Sequence, residues 1–203
     1  MIDKSCETHG HDSFVLSMDK GRGKSAKRVF IGLPVPLVLQ ERVAEFRREH
    51  PALPLRWIEP ENLHVTLIPP WSCSELEPIC ETLSLAASHC SPIELSFRSV
   101  TSSHGRHKHA LLWATGHALP PLLQLYRELR DLLGDLNLEK RNFLMHLTLA
   151  RFRPQQAGVD GCYRVNLPVE WKAECDRLSL YLSHLKPSGA EYRVLSEALF
   201  SSR

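Results

Sequence analysis

The chain has 203 residues, 43% of them hydrophobic and 24% charged, and 25 Lys and Arg against 23 Asp and Glu leave a formal net charge of +2. That composition is ordinary for a globular protein with a sizeable core and excludes collagen-like and low-complexity chains. No apolar run approaches the ~20 residues of a membrane span, and the near-neutral balance argues against a protein that coats long duplex DNA, whose phosphates demand a basic excess.

Residues 1 to about 26 read as a polar, disordered leader. Its end carries Lys20, Arg22, Lys24, Lys27 and Arg28 with no acid among them, which makes either a solvated arm or one that steers phosphate. No apolar stretch of secretory type follows an early basic segment. The six cysteines, Cys6, Cys73, Cys80, Cys90, Cys162 and Cys175, form no CxxC pair. Reduced thiols in the cytoplasm are expected, without the close ligand pairs that structural zinc favours.

Order is expected from Arg28. Val29 to Leu33 is a short apolar run stopped by Pro34 and Pro36, the pattern of a buried strand. Val38, Val43 and Phe46 recur among charges at helical spacing over residues 36–50. Leu55 to Ile58 reads as a short strand, Pro60-Glu61-Asn62 as a turn, and Leu63 to Ile68 as a strand closed by Pro69-Pro70. A helix is predicted from about Glu75 to His89. Strands are predicted over Ile93 to Val100 and Ala110 to Ala114, on either side of a polar loop. An amphipathic helix over residues 119–134 places Leu122, Leu125, Tyr126, Leu129 and Leu133 on one face, with Gly134 near its end. Met145 to Arg151 is a strand. After a loop rich in Pro, Gln and Gly come two more, near Arg177–Leu182 and Tyr192–Leu195. The connections are too short and mixed for a repeated βαβ barrel, so the expected class is α+β in two similar halves.

Two of the 11 histidines stand out. Leu63-His64-Val65-Thr66-Leu67 and Met145-His146-Leu147-Thr148-Leu149 carry the same His-apolar-Thr-Leu motif in apolar strand contexts. About 0.3 His-x-Thr matches are expected by chance, so one match carries no weight, whereas two in matching contexts do. Residues i and i+2 of a strand share a face, so His64 and Thr66 point together, as do His146 and Thr148, while Val65, Leu67, Leu147 and Leu149 point into a core. Two imidazoles can take and give a proton near neutrality, and two hydroxyls can donate to anionic oxygens. Facing each other across a cleft, they suit in-line displacement at phosphorus without a metal. Which histidine is base and which acid stays open. Arg151, at an odd offset from His146, reaches the cleft only at a strand end or bulge, where its guanidinium could fork to phosphate or to a base edge.

These motifs resemble the 2H phosphoesterase superfamily, and within it the RNA 2′,3′-cyclic phosphodiesterases, or 2′-5′ RNA ligases, of LigT/ThpR type. Arg28 to Pro34 resembles the opening strand, Leu55 to Leu67 the first motif with its lead-in, His146 to Arg151 the second, and Leu180–Ser183 with Tyr192–Leu195 the closing strands. The chain departs at Ile68-Pro69-Pro70-Trp71, where the RNA-type enzymes usually continue Phe-Leu-Gly, and at Met145, where Pro is frequent. The resemblance implies an α+β fold of two similar lobes of antiparallel sheet flanked by helices over residues 27–203, with the active site in the cleft between them. It also implies metal-independent hydrolysis of a 2′,3′-cyclic phosphate to a 2′-phosphomonoester, with His64 and His146 catalytic and Thr66, Thr148 and Arg151 holding phosphate or substrate. The alternatives are 2′-5′ ligation, action on another cyclic phosphate, or nucleotide binding without turnover.

Trp71 reads either as a base-stacking platform or as a packing residue, and Tyr181 either as a neighbour of the catalytic groups or as core. The His104-Gly105-Arg106-His107-Lys108-His109 segment reads as an exposed loop, although its His-x-His pair could bind a divalent metal. In enzymes of this resemblance a basic loop precedes a strand near the cleft, so Arg106 or Lys108 could steer phosphate. No metal or other cofactor is expected. The expected partners are RNA ends or small cyclic nucleotides, for a monomer that engages no membrane.

Overall fold

The computed structural model describes residues 26–53, 55–103, 111–134, 143–152, 164–186 and 189–201. The leader up to residue 25 and the 104–109 loop lie outside these residues.

The Val29–Leu33 run forms β1 (Lys27–Pro34), and every residue of that run is buried. A strand buried on both faces explains why the run is continuous rather than alternating. Pro36 opens helix α1 (Leu37–Glu49), whose Leu39, Val43 and Phe46 face inward and whose last turn carries Arg47 and Arg48, the sign that suits a helix C-terminus. Strand β2 (Leu55–Trp57) and a short 3-10 turn (Pro60–Asn62) lead into β3 (His64–Cys73). Helix α2 (Glu77–Ser88) is followed by β4 (Ile93–Ser102) and β5 (Leu111–Gly116). Helix α3 (Pro120–Leu133) starts on Pro120-Pro121, whose fixed φ and missing N–H groups are tolerated in a first turn, and ends at Gly134 with φ 61°. Its Leu122, Leu125 and Leu129 are buried, while Tyr126 and Leu133 are half-buried at the margin of that face. Then come β6 (His146–Phe152), β7 (Asn166–Cys175), β8 (Arg177–Lys186) and β9 (Gly189–Leu199).

The strands form a 9-stranded sheet in the order β7-β4-β5-β6-β3-β1-β8-β9, with β2 added beside β6. The pairings are antiparallel. Helix α1 packs against β7, α2 against β8, β9 and α3, and α3 reaches β3. This is an α+β fold, and its two halves meet where β3 pairs with β6 through Val65↔Leu147. Both residues are fully buried in one continuous core. Among the described residues no helix is long and apolar enough to cross a membrane.

Two expectations need correction. Pro69-Pro70 does not close β3, which continues to Cys73. The register with β1 passes from Ile31↔Ile68 to Val29↔Trp71, so both prolines lie opposite the single residue Phe30 in a bulge. A bulge is where missing N–H groups can be tolerated within a sheet. The sequence reading also places no strand between Arg151 and Arg177, where the structure has β7. The signal is present: Leu167, Val169, Trp171, Ala173 and Cys175 alternate with polar residues or proline. Pro168 reads against a central strand, but β7 pairs only on its β4 side, at the sheet edge, where proline is admissible.

Gly32 pairs with Thr66, and a Cβ built on it would stand 2.8 Å from the Val65 carbonyl oxygen and 3.6 Å from His64 Cδ2. The obstacle is backbone, which cannot swing aside. Gly32→Ala is therefore expected to destabilise the fold by about 1–3 kcal/mol, the usual cost of forced backbone shifts in a packed interior. A lowered midpoint in chemical denaturation would bear this out, and an unchanged midpoint would contradict it.

Candidate active site

The Val65↔Leu147 pair fixes what lies beside it. In an antiparallel pair, stepping forward on one strand means stepping back on the other. His64 therefore stands across from Thr148, and Thr66 across from His146. All four side chains project from the face opposite the one that buries Val65 and Leu147.

Both motif strands carry a bulge at the same place. On β3 the register passes from Gly32↔Thr66 to Ile31↔Ile68, and on β6 from Trp113↔Thr148 to Leu112↔Ala150. One extra residue, Leu67 or Leu149, follows each His-x-Thr directly. Consecutive residues Leu149 and Ala150 are consequently both buried. The alternation changes parity there, and Arg151 emerges on the face of His146 and Thr148. Ile58, just beyond β2, donates its N–H to the Leu149 carbonyl at 2.9 Å, so the bulge is tied down from the side.

His64, Thr66, Thr148 and Arg151 line one cavity of about 160 Å³, walled by Phe30, Ile58, Pro70 and Tyr192, with Asn62 at its edge. His146 does not line that cavity itself, but stands across from Thr66 and interacts electrostatically with His64. Trp71 is absent from the cavity wall; it pairs with Val29, is half-buried and packs against the core. Tyr181 is 3% exposed and stacks on Phe30 with ring centres 4.7 Å apart, 5.6 Å from the His64 ring. Burial pushes its phenol up to about 12, so it acts as an uncharged wall.

The two histidines are anchored alike. His64 Nδ1 lies 2.7 Å from the Asn62 carbonyl oxygen, and His146 Nδ1 lies 2.9 Å from that of Leu144. A carbonyl only accepts, so each Nδ1 carries the hydrogen, and each Nε2 is left for chemistry. Their surroundings differ. Phe30, Tyr192 and Tyr181 enclose the His64 ring, with Phe30 at 4.7 Å and Tyr192 edge-on at 5.0 Å. His146 has one aromatic neighbour among the described residues, Trp113, at 4.6 Å. Trp113 pairs with Thr148 as Gly32 pairs with Thr66, so equivalent positions hold the largest side chain in one half and none in the other. The buried Trp113 Nε1–H has no acceptor among the described residues. Burial behind the rings pushes His64 down to about 4; the Asn62 carbonyl opposes this, and positive charge on His146 adds to it. His64 is thus neutral at pH 7 in the free protein.

Phe30, Asn62, Tyr192 and Trp113 were not legible as site residues. Tyr192 N–H bonds to Asn62 Oδ1 at 3.2 Å, across 130 positions of chain, and no spacing rule reaches so far. Among the described residues no group of three or more His, Cys, Asp or Glu is placed to hold a metal ion. The described cysteines, Cys73, Cys80, Cys90 and Cys175, are free thiols.

The profile of the 2′-5′ RNA ligase superfamily matches residues 35–186. An RNA 2′,3′-cyclic phosphodiesterase from Methanocaldococcus jannaschii is 25% identical over 178 residues, which cover 84% of this chain and 99% of that protein. Among solved structures, TT0787 of Thermus thermophilus superposes with a TM-score of 0.69 at 21% identity, covering 86% of this chain and 98% of its own. LigT of E. coli superposes with a TM-score of 0.65 at 20% identity, covering 88% of this chain and 99% of its own, and has also been solved with 3′-AMP and with phosphate. Both structures are similar in fold to this chain over nearly their whole length.

The depressed His64 can be read directly. In a proton NMR titration its imidazole is expected to show a midpoint of about 4. Tyr192→Ala opens the enclosure and should move that midpoint upward. A wild-type midpoint near the unperturbed value of about 6.5 would contradict the enclosure argument.

Proposed function

The chain belongs to the 2′-5′ RNA ligase superfamily, and from that premise we propose that it is a metal-independent phosphodiesterase. In this reading it hydrolyses RNA or nucleoside 2′,3′-cyclic phosphates to 2′-phosphomonoesters. The observation that carries the proposal is the antiparallel crossing of two His-x-Thr motifs at Val65↔Leu147, which puts each histidine beside the other motif's threonine on one face.

In the proposed reaction the cyclic phosphate lies between the two imidazoles. Water attacks phosphorus in line with the 3′ oxygen. One Nε2 takes the proton that water loses as the new P–O bond forms. The other imidazole gives a proton to the 3′ oxygen as its bond to phosphorus breaks. One water is consumed, the 2′ ester remains, and solvent returns the imidazole pair to its starting protonation. The Thr66 and Thr148 hydroxyls donate to the non-bridging oxygens, and the Arg151 guanidinium offsets their charge. A ribose 5′-hydroxyl in place of water would give a 2′-5′ linkage by the same steps. Each histidine is fixed through Nδ1 to the carbonyl two residues back, which leaves both Nε2 atoms for proton transfer in either direction.

Turnover of a nucleoside 2′,3′-cyclic phosphate in EDTA is the direct test. His64→Ala and His146→Ala are each expected to lower kcat by about 10²-fold or more, the usual scale of general acid–base effects. Wild-type inactivity, or full activity in both variants, would overturn the proposal. The active form holds one proton on the pair. Because His64 accepts a second only near pH 4 in the free protein, kcat/KM should stay high well below pH 6 and fall as pH drops through about 4. An acidic limb near 6.5 would contradict this.

A further inference from the structure

Asn62 turns two oxygens toward the site, and each holds a different part of it. Its carbonyl accepts from His64 Nδ1 at 2.7 Å, and its Oδ1 accepts the Tyr192 N–H at 3.2 Å. The carbonyl is held in place by its own turn. Asn62 N–H bonds to the Glu59 carbonyl at 2.9 Å, and Leu63 N–H to that of Pro60 at 3.1 Å. Tyr192 has no such local support. It lies on β9, the last strand of the sheet, which pairs with β8 and otherwise packs broadly only on α2 among the described elements. Its N–H points off the sheet edge, and the Asn62 side chain supplies the acceptor that a further strand would have given. The Tyr192 ring then stands edge-on to His64 at 5.0 Å and to Phe30 at 4.9 Å. Asn62 and Tyr192 both line the cavity of His64 and a neighbouring one of about 190 Å³, which adds Arg56, Glu59 and Glu191. Their contact is thus part of the partition between the two cavities.

We propose that Asn62 is a positioning residue for His64. Its carbonyl orients the imidazole, and its side-chain oxygen latches β9 so that the Tyr192 ring closes one side of that imidazole. The proposal rests on the reading of His64 as a proton-transfer group. The titratable and charged groups that face His64 are His146 and Arg151 from β6, Tyr181 from β8 and Tyr192 from β9, while β1 presents the uncharged Phe30 and Gly32. Arg56, Glu59 and Glu191 lie beyond the partition, with Glu191 engaged by Lys186 at 2.6 Å. Releasing Tyr192 admits water to the imidazole from that side, which favours its charged form.

The test follows the His64 imidazole by proton NMR, without substrate. Asn62→Ala should let His64 bind a proton about tenfold more tightly, which moves its midpoint from about 4 to about 5. The Tyr192 amide should exchange faster in the same protein. Tyr192→Ala raises the midpoint by itself. Adding Asn62→Ala to it should raise the midpoint little further, because the ring through which Asn62 acts is gone. On a cyclic phosphate the acidic limb of kcat/KM should move up with the midpoint, since the second proton then binds at higher pH. An Asn62→Ala protein in which His64 still titrates near 4 would overturn the proposal; a lowered denaturation midpoint on its own is the outcome of a merely structural role. Additive shifts from Asn62→Ala and Tyr192→Ala would overturn it too. Should Asn62→Ala fail to fold, Asn62→Ser carries the same expectations, since serine suits a turn but its hydroxyl is too short to reach the Tyr192 amide. Failure to turn over any cyclic phosphate would sink only the hydrolase reading, because the titration needs no turnover.

Discussion

One antiparallel contact organises this protein. Val65 and Leu147 are the middle residues of the two His-x-Thr motifs, and they are the register pair through which β3 meets β6. Their side chains are fully buried on one side of the sheet. The period of two along a strand then leaves the histidines and threonines no choice but the other side. Antiparallel sense sets each histidine against the other motif's threonine. Core packing and site assembly are thus one constraint, since a slip of one residue at this pair would turn the histidines and threonines into the core and apolar residues into the cleft.

The two halves repeat a plan and differ in one substitution of bulk. Both motif strands bulge at the leucine after the threonine, and both histidines are pinned through Nδ1 to the carbonyl two residues back. At the position beside the motif threonine, however, one half has Gly32 and the other Trp113. The missing side chain lets the His64 ring lie close to β1, where Phe30, Tyr181 and Tyr192 close around it. The opposite ring rests on Trp113 alone among the described aromatic side chains. Enclosure of the kind around His64 desolvates an imidazole and disfavours its charged form, which is why His64 is pushed down to about 4.

The period-two and period-3.6 patterns made most elements legible, including β1, α1, α3 and both motif strands. Alternation within the motifs also gave the shared face of His64 with Thr66 and of His146 with Thr148. Arg151 could be placed only conditionally, because its use depends on a bulge, and a bulge is a relation between two strands that one strand's sequence does not display. The same holds for Pro69-Pro70, which look like a terminator until Phe30 is seen opposite them. Trp71 shows the converse: an aromatic residue close to a motif in sequence lies against the core, because the two bulges of β3 cancel and leave it on the side of Val65, paired with Val29. Tyr192 is invisible to pattern reading, since the long-range pairing of β8 with β9 brings it to the cleft.

The central claim is that the two motifs act as one catalytic unit across the Val65–Leu147 contact. Groups that serve a single transition state lose their effects non-additively, because once one is gone the other has little left to assist. The most direct measurement is kcat for His64→Ala, His146→Ala and the double variant on one cyclic phosphate, with folding of each checked by its denaturation midpoint. The account predicts that the double variant is scarcely slower than either single one. Losses that multiply, as for independent residues, would contradict it.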